Sequence, residues 1–233
     1  MKEGFLSAGG LTFELRRSSR RRTLGISVGR TGDLCVFAPV AIPTQEISPW
    51  VEKKLLWVYR KLSLKQRTSL NNPQPEFVTG ESFSYLGRVY KLRVVDQLSE
   101  ALRFEGKAFL LRRDARQNAE KHFSTWYRRQ GLPWAESRVR MFVPRISASP
   151  AKITVRDLSY RWGSCSRKGV LSFHWKLFQL PVRLVDYVIL HELVHLVEPH
   201  HGPGFYACLE RALPDWQERK EQLAQWVPGY LHI

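Results

Sequence analysis

Cysteine is scarce in this sequence, and the three that occur, Cys35, Cys165 and Cys208, are widely spaced. An odd number of scattered cysteines excludes the disulfide framework that holds many small secreted proteins together. Long apolar runs are missing as well, since none approaches the roughly 18 residues that a membrane span needs. Residues 1–17 contain no apolar core typical of a secretory leader. These absences predict a protein of the cytoplasm that does not insert into a membrane.

Acidic residues are also few, 21 Asp and Glu against 37 Lys and Arg, which leaves a formal net charge of +16. The excess lies toward the N-terminus, where residues 1–150 contain 27 basic and 13 acidic side chains, against 10 and 8 in residues 151–233. The densest basic stretch is RRSSRRR at 16–22. Such a surface attracts polyanions, so nucleic acid is a candidate partner of the basic N-terminal region. A solvated strand edge without any partner explains the same arginines.

The order of predicted elements indicates an α+β protein. Short alternating apolar segments, broken by glycine and proline, predict a basic β-rich region over residues 1–112, with one helix at 44–67. Residues 113–233 form the second predicted domain, in which two strands flank a turn at 164–169. Its helices are expected at 114–130, ended by Gly131, and then at 133–142, 182–197 and 203–224. We recognise no internal repeat.

The helix predicted at 182–197 contains the motif HELVH, with His191, Glu192 and His195. Residues four apart in an α-helix lie on one face, so both imidazoles can point at one metal ion. Glu192 is close enough to reach a water on that ion, which is the arrangement of a metal hydrolase. Apolar neighbours, VDYVIL before the motif and LV after it, indicate a buried helix in which His and Glu need partners. The spacing therefore predicts a metal site.

A catalytic zinc site usually has three protein ligands, so a third is expected downstream. His201 follows the motif after five residues, the gap of the metzincin pattern HExxHxxGxxH. Glu198 takes the place of the glycine that turns the chain in that pattern, and Pro199 after it can end the helix instead. We expect His201 to be the third ligand, with His200 and Glu210 as the alternatives.

The C-terminal third resembles the YgjP-like metallopeptidases, a zincin-like family related to the SprT-like proteases. The resemblance rests on YRWGSCSRKGVLSFHWKLFQLP at 160–181, VDYVILHELVHL at 185–196 and HHGPGFY at 200–206. LRRSSRRRTLGISVGRTGDLCVFAPVAIP, WVEKKLLWV and YLGRVYKL fit the opening of the family, so the resemblance covers nearly the whole chain. The sequence departs from the family at His174, where Asn is usual.

This resemblance implies a small zincin-like catalytic domain over residues 113–233 that contains the HELVH helix. It implies one Zn²⁺ per chain on His191, His195 and His201, with Glu192 as the general base. We therefore expect a zinc metallopeptidase that hydrolyses the peptide bonds of a peptide or protein substrate with a metal-activated water.

Other residues near the motif have two interpretations each. Trp162, Gly163 and Ser164 precede the predicted turn, and in zincins an edge strand beside the metal binds extended substrate. Packing and turn formation explain these three residues equally well. For Cys165 the role of a small buried hydrophobe is favoured over that of a zinc ligand. For Tyr206, core packing with a neighbouring Phe is favoured over a hydrogen bond to the oxyanion.

Two other functions remain open at this point. By analogy with SprT-like enzymes, the chain could be a nucleic-acid-associated protein whose protease acts on DNA-bound proteins. Alternatively, it could be a binding module whose zinc is structural and closed by a fourth ligand, with His200 or Cys165 as the candidates. Salt-dependent DNA binding would favour the first, and coordination by four protein ligands would favour the second.

Overall fold

The computed structural model describes residues 3–29, 32–70, 75–158 and 161–225. The chain divides into two compact units, Met1–Pro73 and Gln74–Ile233, called unit 1 and unit 2 below. Each unit has a hydrophobic core of its own. Both contain strands and helices, which confirms the predicted α+β class. Within these residues, no helix combines the length and the apolar character that crossing a bilayer requires.

The described part of unit 1 is a sheet followed by two helices: β1 (Glu3–Ala8), β2 (Leu11–Ser18), β3 (Gly25–Val28), β4 (Leu34–Pro39), α1 (Thr44–Glu52) and α2 (Leu55–Leu70). The strand order is β1-β2-β4-β3, in which β2 and β4 are parallel and the two outer pairs are antiparallel. Phe13 and Leu15 of β2 point into the core with Ile47 and Val51 of α1. The single helix predicted at 44–67 is therefore two helices.

Unit 2 begins with a second four-stranded sheet: β5 (Ser82–Tyr85), β6 (Arg88–Val95), β7 (Leu102–Phe104) and β8 (Ala108–Arg112). Its order, β5-β6-β8-β7, and its strand directions repeat those of unit 1. The described sheets thus have the same topology, although no repeat is recognisable in the sequence.

The long helix α3 (Ala119–Ile146) packs against this second sheet through aromatic rings. Phe83 stacks on Phe123 with centroids 4.4 Å apart, and Phe109 meets Trp126 edge-on at 4.9 Å. The sequence placed a domain boundary after residue 112, between this sheet and α3. In the structure both contribute to one core, and the compact units divide after Pro73.

The prediction that Gly131 ends a helix was wrong, because α3 continues through it. A β-carbon at residue 131 would lie 2.3 Å from a ring carbon of Phe178. The glycine therefore provides room for a buried ring and does not act as a helix stop. Pro133 and Pro144 also lie within α3.

The remainder of unit 2 positions the candidate site. A three-stranded sheet is formed by β9 (Lys152–Arg156), β10 (Gly163–Cys165) and β11 (Val170–His174), in the order β10-β11-β9. Three helices follow: α4 (Val182–Val194), α5 (Pro203–Ala212) and α6 (Trp216–Gln225). The last two replace the single helix predicted at 203–224, since Pro214 after α5 disfavours helical backbone at the residue before it.

Candidate active site

The two histidines of the HELVH motif lie on one face of α4, with ring centroids 5.0 Å apart. Leu190 and Leu193 are fully buried and anchor the helix in the core. His195 is the C-terminal cap of α4, and its Nδ1 lies 3.1 Å from the backbone carbonyl oxygen of Glu198. A carbonyl only accepts, so Nδ1 of His195 donates and its Nε2 keeps the lone pair that a metal binds.

His201 reaches the same place from the loop between α4 and α5. Its Nε2 lies 3.0 Å from Nε2 of His191, and the ligand atoms of His191, His195 and His201 all lie within 4.8 Å of one another. Nitrogens bound tetrahedrally to zinc at ~2.0–2.1 Å would be ~3.3 Å apart. The three imidazoles therefore fit one zinc ion, and they are the metal-binding group found among the described residues.

The surroundings of His191 and His195 favour the neutral form of both imidazoles. Burial, and then the neighbouring His195 and His201, lower the pKa of His191 to about 3. Burial also lowers the pKa of His195, against the effect of the Glu198 carbonyl. Neutral imidazole is the form that binds zinc, so His191 and His195 are ready for a metal at neutral pH.

Glu192 lies beneath β10 and is 7% exposed. Burial raises its pKa from 4.5 to about 7, and both the charge of Arg161 and a backbone hydrogen bond from Cys165 oppose that rise. A β-carbon at Gly163 would lie 2.6 Å from Cγ and 2.7 Å from Oε1 of Glu192. The strand can pass this close to the carboxylate only because residue 163 has no side chain.

An open cleft of about 770 Å³ exposes this group to solvent. His191, Glu192, His195 and His201 line it on one side. The segment 161–167, which contains β10, lines it as well. The predicted substrate residues Trp162, Gly163 and Ser164 are therefore brought to the cleft. β10 is an end strand of its sheet, and within the described chain it pairs with β11 alone.

The competing candidates are outside the three-histidine group. His200 lines the cleft but is outside the three-histidine group. Glu210 accepts a hydrogen bond from Nε1 of Trp216, and the Tyr206 ring stacks on the same indole with centroids 5.3 Å apart. Cys165 lines the cleft outside the metal group, and burial and then Glu192 raise the pKa of its thiol.

The sequence reasoning missed Tyr187, which also lines the cleft. Its ring centroid lies 5.9 Å from that of His191, and burial, followed by Tyr206 and Glu192, raises its pKa to about 12. It is therefore a phenol at neutral pH and a hydrogen-bond donor. Its position four residues before His191, on the same helical face, was the signal available in the sequence.

The arginine-rich stretch at 16–22 has bonding partners within unit 1. Arg17 donates to the carbonyl oxygen of Ile42 at 2.5 Å, and Arg16 donates to Glu14. Arg21 lies over the Phe37 ring at 4.9 Å and donates to a backbone carbonyl. These guanidiniums therefore contribute to the fold of unit 1, and nucleic-acid binding by this region stays a prediction.

Three histidines that converge in an open cleft are a donor set that catalytic zinc sites use. The YgjP-like metallopeptidase domain matches residues 22–226, so the chain belongs to the YgjP-like metallopeptidase family. No curated protein matches the chain.

Similar solved structures include the metallopeptidase zymogens abylysin of Pyrococcus abyssi and jannalysin of Methanocaldococcus jannaschii. Abylysin is 17% identical, with a TM-score of 0.37, over 40% of this chain and 93% of its own. Jannalysin is 21% identical, with a TM-score of 0.36, over 40% of this chain and 95% of its own.

Proposed function

We propose that the chain is a zinc-dependent peptidase of the HExxH type, with one zinc on His191, His195 and His201 and Glu192 as the general base. The convergence of the three imidazole nitrogens beside a buried carboxylate, in a cleft open to solvent, supports this most directly. The donor set also suits zinc, because neutral imidazoles are among its preferred ligands. Membership of a metallopeptidase family supports a peptide or protein as the substrate.

When bound, a zinc ion would lower the pKa of a coordinated water toward ~7 and polarise the scissile carbonyl. Glu192 accepts the proton of the attacking water and passes it to the leaving amine. Gly163 lies against the Glu192 side chain and limits where the carboxylate can lie. The Glu198 carbonyl orients His195 through Nδ1.

Trp162, Gly163 and Ser164 would bind the substrate as an extended segment along β10. An end strand offers unpaired backbone N–H and C=O groups to a peptide, and such pairing depends little on side chains. Tyr187 is placed to donate a hydrogen bond to a substrate oxygen near His191.

Metal content and proteolysis, measured together, test this function. The wild type and Glu192→Gln are expected to retain about one zinc per chain after reconstitution and mass spectrometry, whereas His191→Ala loses it. Cleavage of a fluorescent casein should fall by about 10²–10⁴-fold in Glu192→Gln, which removes the base, and should be absent in His191→Ala. His122→Ala, outside the cleft, is the matched control and should behave as the wild type.

A wild type that takes up no zinc would refute the peptidase mechanism. Bound zinc with four protein ligands by X-ray absorption, together with no cleavage, would favour the structural-zinc module instead. DNA-stimulated cleavage that weakens with salt would favour the nucleic-acid-associated protease.

A further inference from the structure

Two arginines lie at the ends of β10. Arg161 precedes the strand and Arg167 lies in the turn after it, and both are exposed and line the cleft. The backbone N–H of Arg161 donates to the carbonyl oxygen of Leu158 at 3.2 Å, which fixes its main chain. Within the described part of the chain, neither guanidinium forms a hydrogen bond or an ion pair.

Other arginines of unit 2 have clear structural roles. Arg138 donates from Nε and an Nη atom to the two carboxylate oxygens of Asp186, at 2.8 and 2.6 Å. Arg145 donates to the carbonyl oxygen of Ala212 at 3.0 Å. Arg161 acts on Glu192 through its charge, but among the described residues its guanidinium forms no comparable hydrogen bond or ion pair. Its donors are therefore available to a ligand in the cleft.

The charges of the cleft favour an anionic ligand. Among the described residues that line it, Glu192 is the one carboxylate, and it is buried under Gly163. Two permanently charged guanidiniums, at Arg161 and Arg167, therefore meet solvent with little to balance them. A divalent metal ion on the three histidines would add to the positive charge of the cleft. The positive potential of such a cleft raises the local concentration of negatively charged groups.

We propose that the cleft selects substrates with a carboxylate beside the scissile bond, and that Arg161 binds this carboxylate. The planar guanidinium matches a carboxylate with two parallel hydrogen bonds. Arg161 is nearer to the base than Arg167, because it adjoins Trp162 and Gly163, the segment that covers Glu192. Arg167 lies beyond the far end of a strand that rises ~3.3 Å per residue, so it faces a more distant part of the substrate.

This inference rests on the proposed peptidase function. The carboxylate has two possible sources: an Asp or Glu side chain, or the C-terminal carboxylate of the substrate. The first source makes the chain an endopeptidase with acidic preference, and the second makes it a carboxypeptidase. Both place the same chemical group against Arg161.

A positional-scanning decapeptide library, with free and amidated C-termini and cleavage read by mass spectrometry, tests the proposal. The wild type should cleave peptides with Asp or Glu next to the broken bond, or those with a free C-terminus, at least tenfold better than the matched neutral peptides. Arg161→Ala should abolish that preference, and Arg161→Glu should shift it toward Lys and Arg. Arg140→Ala, an exposed arginine outside the cleft, is the matched control and should keep the wild-type preference.

Binding provides a readout apart from activity. Zinc-loaded Glu192→Gln should bind a labelled carboxylate-containing peptide about ten- to hundredfold more tightly than its neutral counterpart, in line with a charge-assisted hydrogen bond. Adding Arg161→Ala should remove the difference and leave affinity for the neutral peptide unchanged.

Cleavage and binding that ignore substrate carboxylates, while activity persists, would overturn this inference and leave the peptidase function standing. Retention of the preference in Arg161→Ala would overturn the assignment to Arg161. The absence of cleavage and binding for every peptide would overturn the proposed function together with the inference.

Discussion

At the residue scale, Gly163 determines where the Glu192 carboxylate can lie. Replacing it by Ala puts a β-carbon less than 3 Å from Cγ, Cδ and Oε1 of Glu192, so the carboxylate or the strand must move. A displacement of about 1 Å in a catalytic group can lower the rate by ~10²-fold. We therefore expect Gly163→Ala to reduce kcat/KM for a peptide by about that factor. Zinc content should remain at the wild-type level, because no ligand is touched.

Gly4→Ala is the matched control, since nothing lies within 4 Å of a β-carbon at Gly4. It should retain full activity. Unchanged activity in Gly163→Ala would show that the contact with Glu192 relaxes without consequence. Loss of zinc in Gly163→Ala would mean that β10 supports the metal ligands and does not merely position the base.

The raised pKa of Glu192 predicts how pH affects the metal-free protein. Burial raises this pKa from 4.5 to about 7. At a pH between these two values, the folded protein therefore binds a proton that the unfolded chain does not. The contribution of Glu192 to stability is therefore favourable at low pH and is lost as pH rises through the window, by about 3 kcal/mol in total. Glu192→Gln lacks this titration. With EDTA present, its free energy of unfolding should gain about 3 kcal/mol relative to the wild type between pH 4.5 and 7.5.

Urea unfolding of both proteins across this pH range measures that difference. His191 has the opposite slope, because burial lowers its pKa to about 3, but it is present in both proteins and cancels. Parallel pH profiles for the wild type and Glu192→Gln would contradict the raised pKa.

At the element scale, the sequence reveals helix α4 because its signal is local. Apolar residues recur with helical spacing, and the same spacing puts His191 and His195 on one face. The contact of His201 with His191 could be expected from the five-residue gap, which is also local. The position of the Glu192 carboxylate under β10 has no such local signal. It depends on Gly163, which lies 29 residues earlier in the chain.

The errors have a common physical cause, which is that tertiary packing overrides local signals. Gly131 reads as a helix stop, but the ring of Phe178, 47 residues later, requires that glycine inside α3. The boundary after residue 112 follows the change from strands to helices. That change does not show that α3 covers the aromatic face of the β5–β8 sheet. Neither partner can be identified from periodicity, because both contacts join distant segments.

At the scale of the whole molecule, the family match begins within unit 1 and continues through most of unit 2. The family domain therefore includes parts of both compact units, although each unit has its own core. The three histidines of the metal-binding group and Glu192 belong to unit 2. Unit 1 has a sheet of the same topology, without a metal-binding group among its described residues. Metal should consequently stabilise one unit and not the other.

Thermal unfolding should show this selectivity as two transitions, one per core. Zinc at about 100 times its Kd adds ~2.7 kcal/mol to the state that binds it, which corresponds to a Tm change of about 5–10 °C for a unit of this size. Chelation should lower the transition of unit 2 by that amount and leave the transition of unit 1 in place. Differential scanning calorimetry of the whole chain, with zinc and with EDTA, measures both.

Two variants assign the transitions. His191→Ala should abolish the effect of EDTA. Ile47→Ala opens a cavity in the core of unit 1, where Ile47 is fully buried, and truncations of this kind cost about 2–5 kcal/mol. It should therefore lower the other transition and preserve the effect of EDTA on the first. A chelator that shifts both transitions equally, or one transition that responds to both variants, would mean that the two units unfold as one cooperative body and that the metal stabilises the entire chain.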